Sequence, residues 1–186
     1  MICRSTLVSR MIVCTMTCAA VAPGLRVAAQ EPAARPAACT SDEHRAFDFW
    51  IGEWEVTEAG KVAGKNHIES VLGGCALHES WTGAGESRGE SLNFYDAAER
   101  KWHQTWIDNS GGALYLSGGL ENGSMVLSGR RPPRPGGDSD RETLHRITWT
   151  PLAEGKVRQH WEASTDDGAS WRTLFDGLYA PLRQGR

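Results

Sequence analysis

From residue 50 to residue 180 the chain is cut about every ten residues by Gly, Asn or Asp, and the segments between these breaks are extended. That punctuation leaves strands as the main building units, over residues 50–58, 65–72, 75–83, 88–96, 101–109, 112–119, 123–129, 141–150, 156–164 and 170–180. Gly73-Gly74, Asn122-Gly123 and Glu154-Gly155 supply tight reversals. Strands joined in sequence by short turns make an antiparallel meander, which must split into two layers or close on itself to remove its edges. Closure is the expectation here: an all-β, ten-stranded, antiparallel up-and-down barrel. Thr40 and Glu43 have capping-box spacing, so one short helix is expected over Ser41 to Phe49, closing one end. One longer connection, Arg130 to Asp140 (RRPPRPGGDSD), contains Pro and Gly that forbid ladder pairing; it reads as a mobile loop or, through its Arg residues, a basic patch.

The first residues read as an export signal. Arg4 and Arg10 precede an apolar run from Met11 to Leu25, and Val27-Ala28-Ala29 offers small residues for cleavage. Residues 1–29 are thus expected to be a secretory signal peptide, 30–40 a flexible leader and 41–182 a single barrel domain. A retained anchor is the competing reading; the short run and Pro23-Gly24 argue against it. Cleavage removes three Arg and no acid, taking the formal net charge from −3 to −6. That balance excludes a nucleic-acid binder working by bulk phosphate attraction. The expected location is secreted or periplasmic, with no membrane span after signal removal. Of five Cys, Cys3, Cys14 and Cys18 leave with the signal. Cys39 and Cys75 remain, either as a disulfide or as two free thiols.

Alternation along the strands sorts side chains onto two faces. One face carries Leu77, Glu79 and Trp81; Trp102, Gln104, Trp106 and Asp108; His145, Ile147 and Trp149; Val157, Gln159, Trp161 and Ala163. A core built only for packing favours Val, Ile and Leu, which need no hydrogen-bond partner. Indoles interleaved with Gln, Glu and His describe the lining of a ligand cavity. The alternative is that the Trp side chains plug the barrel. The expected ligand-binding set is Trp54, Glu79, Trp81, Trp102, Gln104, Trp106, His145, Trp149, Gln159 and Trp161, taking a small apolar or amphiphilic molecule.

Phe47-Asp48-Phe49-Trp50-Ile51-Gly52-Glu53-Trp54 contains a Gly-x-Trp triplet between a short helix and the first strand. It resembles the signature of lipocalins in the calycin superfamily. That resemblance implies an Arg from the last strands stacked on Trp54, with Arg172 or Arg183 available. With Leu72-Gly73-Gly74-Cys75, Glu79-Ser80-Trp81, Tyr95-Asp96, Trp102-His103-Gln104-Thr105-Trp106-Ile107-Asp108 and Ser164-x-Asp166-x-Gly168, the longer pattern is similar to the domain-of-unknown-function family 1579. The resemblance covers residues 44–180 and implies a secreted lipocalin-like barrel without an established activity, so no catalytic residues are carried over. Ser164 to Trp171 also matches the Asp-box pattern, which occurs once and reads as a turn.

Six His residues are present, without H-E-x-x-H or i, i+2 spacing, so no metal ligand set is read. No cofactor is expected from the residues alone. The ten-strand count also looks like nitrobindins, which implies haem with His145 or His160 as the axial candidate. A third reading is a barrel isomerase or hydrolase using Glu79, a carboxyl beside Trp81 whose pKa an apolar setting would raise.

Overall fold

The structure, a computed structural model, describes residues 38–133 and 141–182. The expected signal peptide, most of the leader, residues 134–140 of the long connection and Arg183 lie outside these residues.

A helix α1 (Asp42–Arg45) and a 3-10 turn (Asp48–Trp50) lead into β1 (Gly52–Glu58), β2 (Lys61–Val71), β3 (Ala76–Gly83), β4 (Arg88–Asp96), β5 (Lys101–Asp108), β6 (Ala113–Glu121), β7 (Ser124–Arg131), β8 (Thr143–Pro151), β9 (Val157–Ser164) and β10 (Arg172–Pro181). Every strand pairs antiparallel with its sequence neighbours, and β1 pairs with both β2 and β10, closing the barrel. The sheet therefore has no free edge. Asn122-Gly123 reverses the chain with both residues at positive φ, as a two-residue hairpin requires. Ala59-Gly60 does the same between β1 and β2, so β2 begins at Lys61, four residues before the expected start.

The helix differs from expectation. It is split into α1 and the 3-10 turn, and its N-cap is Ser41. No capping side chain bonds the backbone; Ser41 Oγ instead meets His44 Nδ1 at 2.9 Å. The Thr40–Glu43 capping box does not form. The break lets Phe47 and Trp50 turn inward, and both are completely buried.

These two rings build the barrel floor. Phe47 stacks on Trp50 with centroids 5.0 Å apart, and meets Trp102 at 5.5 Å and Trp149 at 5.2 Å. Trp50 also meets Trp149 at 5.3 Å and Tyr179 at 6.4 Å. Trp54 Nε1 donates to the Trp50 carbonyl at 2.9 Å, and Trp102 Nε1 to the Glu43 carbonyl at 2.9 Å. Gly52 sits at φ +150°, a backbone conformation that residues with a Cβ rarely adopt, which explains glycine in the Gly-x-Trp triplet.

Arg172 does not stack on Trp54. It opens β10 opposite Ala163, whereas Trp54 faces Pro181 at the other end of that strand. Cys39 and Cys75 form a disulfide, which ties the segment before α1 to the β2–β3 turn. The Asp-box segment is a turn: Ser170 Oγ, Ser164 Oγ and Ser170 N donate to Asp166 at 2.5, 2.7 and 2.8 Å, and these bonds hold its carboxyl pKa down to about 2. Arg146 lies over the Trp171 ring at 4.0 Å. The long connection begins later than expected, because β7 continues to Arg131, and Arg130 pairs with Glu142 and Asp167.

Candidate functional site

Above the floor, the barrel interior is layered. A belt of polar side chains crosses its middle, contributed by β9, β10, β2, β3, β4 and β5 in their order around the wall. Tyr179 OH donates to Gln159 Oε1, and Asn66 Nδ2 reaches Tyr179 OH at 3.2 Å and Glu79 Oε1 at 2.7 Å. Ser91 Oγ donates to Glu79 Oε2 at 2.5 Å, Asn93 Nδ2 to Ser91 Oγ at 2.8 Å, and Gln104 Nε2 to Asn93 Oδ1 at 2.8 Å. Glu79 is the acceptor on which the chain converges from both sides. Asn66 Oδ1 is buried without a partner, a cost native structures rarely carry unless it serves a purpose.

Over this belt opens a cavity of about 530 Å³. Trp81, Trp106, Trp161, Leu114, Ile147 and Phe175 form its apolar wall; Glu79, Gln104, Gln159 and Tyr179 border it from the belt. Glu86, Ser87, Asp108, Asn109 and Ser110, from the β3–β4 and β5–β6 turns, make the rim. The rim is held in place: Arg88 Nη1 donates to the Gly83, Gly85 and Ser87 carbonyls at 3.2, 2.8 and 2.7 Å. Asn109 bridges the two turns, accepting from Arg88 N at 3.0 Å and donating to the Glu86 carbonyl at 2.8 Å.

Room for the large rings comes from glycine. A Cβ at Gly89 would lie 2.2 Å from Trp106, one at Gly64 2.8 Å from Trp81, and one at Gly177 2.4 Å from Phe175. Each ring packs directly against a glycine that a side chain would displace. Gly89→Ala is expected to tilt Trp106 inward, cost about 1–3 kcal/mol of stability and shrink the cavity; calorimetric unfolding and ligand titration of one preparation would check both effects.

The ten expected ligand residues thus divide by depth. Glu79, Trp81, Gln104, Trp106, Gln159 and Trp161 border the cavity. Trp54, Trp102 and Trp149 belong to the sealed floor, so for them the plug reading holds. His145 lines a second hollow of about 390 Å³ with Arg131, Arg141, Ser164, Trp171 and Arg172. Asn66, Ser91, Asn93 and Tyr179 complete the belt and were not expected; alternation with Ile68 on β2 and with Gly177 on β10 was the available signal.

Burial and then the hydrogen bonds set the belt's electrostatics. Complete burial raises the Glu79 pKa above the carboxylate range, against the lowering effect of Ser91, Asn66 and His78. Burial, and the nearby Glu79 charge, push the Tyr179 phenol well above its usual value, so it stays a donor. Because the folded state holds the Glu79 proton longer than the unfolded chain, this group's stabilising contribution is full below about pH 4.5 and is lost as pH rises through the raised value. Glu79→Gln is expected to gain stability relative to the natural protein steadily as pH rises; denaturant titrations across that range test this, and a pH-independent difference would contradict it.

Neither axial candidate, His145 or His160, offers a free ring nitrogen to the cavity. Trp161 Nε1 donates to His145 Nδ1 at 3.0 Å, which places the imidazole proton on Nε2 and leaves no free lone pair. Burial and Arg131 hold its pKa down to about 4. His160 lies on the outer wall, with Nε2 at 3.0 Å from Thr173 Oγ1. Outside the barrel, Asp96, Glu99 and His103 bring one donor atom each within 4.8 Å of one another, but Asp96 Oδ1 already accepts from the Ala98 and Glu99 amides. Among the described residues, no helix is long and apolar enough to cross a membrane.

No protein-family model and no curated protein sequence matches the chain.

Proposed function

We propose that this protein is an exported, lipocalin-like carrier that holds a small amphiphilic molecule in the barrel. The observation that carries this reading is the cavity itself: an apolar wall of three indoles over a polar belt, open at a rim of hydrogen-bonded turns. Its size and its few convergent polar groups are those of a small-molecule site. Gln104 Oε1 and Gln159 Nε2 take no part in the belt's bonds, which leaves an acceptor and a donor for a guest. The resemblance to the domain-of-unknown-function family 1579 bears only on the exported, lipocalin-like barrel and not on what the barrel holds. The Cys39–Cys75 disulfide accords with export to an oxidising compartment, secreted or periplasmic.

Trp81, Trp106 and Trp161 provide a built-in reporter. Titration with fatty acids, aromatic metabolites and alkyl amines is expected to give saturable quenching of tryptophan fluorescence for at least one class. No response from any of them would contradict the carrier reading. The buried Glu79 carboxyl also favours a second reading, a general acid in a barrel isomerase or hydrolase. Its neighbours weigh against that: Asn66 and Ser91 hydrogen-bond its two oxygens, and Ser91 Oγ in turn accepts from Asn93, so the group is built into the belt. Unchanged turnover of a substrate by Glu79→Gln would end it.

A further inference from the structure

The charge lining the hollow is one-sided. Its bordering residues include three acids, Glu79, Glu86 and Asp108, and no Lys, Arg or His. Glu79 lies deepest, 4% exposed, and its two oxygens receive only neutral donors, Asn66 Nδ2 and Ser91 Oγ. A carboxylate accepts about four hydrogen bonds, so each oxygen retains a lone pair for another N–H. A buried acid without a counter-charge is costly to ionise, and a cation arriving in the cavity removes that cost. Above Glu79 stand three indoles, whose faces are the best aromatic partners for a cation. At the rim, Asp108 works against its partial burial: bonds from Ser110, Gly112 and Trp106 keep its carboxyl below the usual range, hence charged. The rim also holds the Arg88 guanidinium, which spends Nη1 on the Gly83, Gly85 and Ser87 carbonyls, so the preference for a cation rests on Glu79 at the bottom of the hollow and not on the rim.

We propose that the molecule held in the cavity is a protonated organic amine, its ammonium on Glu79 and its apolar body between Trp81, Trp106 and Trp161. This rests on the carrier reading and sharpens it. Gln104 Oε1 offers the ammonium a further acceptor on the same belt. The titratable groups around Glu79 are Tyr179 on β10, His78 on the outer face of β3, and Asp108 and Glu86 at the rim; β2 and β4 present only the neutral Asn66 and Ser91. Where the empty site holds Glu79 protonated, the arriving ammonium displaces that proton to solvent, so binding releases up to one proton.

Three probes of matched shape separate the ideas by calorimetry: phenylbutylamine, phenylbutanol and phenylbutyrate. The amine is expected to bind at least about tenfold more tightly than the alcohol, with the carboxylate weakest. Glu79→Gln is expected to abolish the amine's advantage over the alcohol. Alcohol or carboxylate binding as tightly as the amine would overturn the amine assignment and leave the carrier reading standing. Failure of all three, together with silence across the fluorescence panel, would overturn both. Should Glu79→Gln not fold, the ranking of the three probes on the natural protein still decides; a folded Glu79→Gln that keeps the amine preference would overturn the role given to Glu79.

Discussion

Replacing Trp50 by Ala is expected to cost about 4 kcal/mol of folding stability, the middle of the range for truncating a buried aromatic. The side chain has no solvent exposure and sits where the 3-10 turn, β1, β8 and β10 converge, against Phe47, Trp54, Trp149 and Tyr179. Removing it leaves a void that the floor fills poorly, because the surrounding rings are rigid and fixed by one another. One effect partly offsets this loss. The Trp50 indole N–H is buried without a partner, so its removal also deletes an unpaired donor. Ligand affinity is expected to change little, since the polar belt lies between this ring and the cavity. Chemical denaturation with a parallel ligand titration measures both; a stability loss under about 1 kcal/mol, or lost binding in a folded variant, would contradict the division into floor and hollow.

Opening the Cys39–Cys75 disulfide is the second large effect. The bridge spans 36 residues of sequence and encloses α1, the 3-10 turn, β1 and β2. Closing a loop of that length removes chain entropy from the unfolded state worth about 4 kcal/mol on the loop-closure model. For a chain of this size, that corresponds to a melting point lower by roughly 10 °C. The double variant Cys39→Ser, Cys75→Ser and the natural protein under reductant are expected to show the same drop, because both lose the same constraint. A melting curve unaffected by reductant would mean that the floor is held by packing alone.

Much of this architecture is legible in local sequence. Alternation assigns Trp102, Gln104 and Trp106 to one face whatever the fold, and Asn122-Gly123 fixes a hairpin through its positive φ values. Closure follows from the lack of any covered edge. Depth along the barrel is not local. Trp102 and Trp106 lie on the same face of the same strand, yet one seals the floor and the other lines the hollow. What separates them is the stagger of ten strands and the inward turn of Phe47 and Trp50, neither written in β5. The belt was missed for a related reason: Asn66 and Ser91 look like ordinary strand residues until Glu79 is placed between them by register. The glycine–aromatic pairs were also legible only in part. Gly64 and Trp81 meet diagonally across two strands, whereas Gly177 and Phe175 are two residues apart on one strand.

The central claim is that the upper barrel is an open hollow walled by Trp81, Trp106 and Trp161, above a floor that excludes guests. The chain's eight tryptophans give eight indole N–H signals in a nitrogen-15 NMR spectrum. Titrated with phenylbutylamine and with phenylbutanol, the signals of those three residues are expected to shift with at least one probe while those of Trp50 and Trp149 stay fixed. Movement of the floor indoles first, or stillness of all eight with both probes, would contradict it.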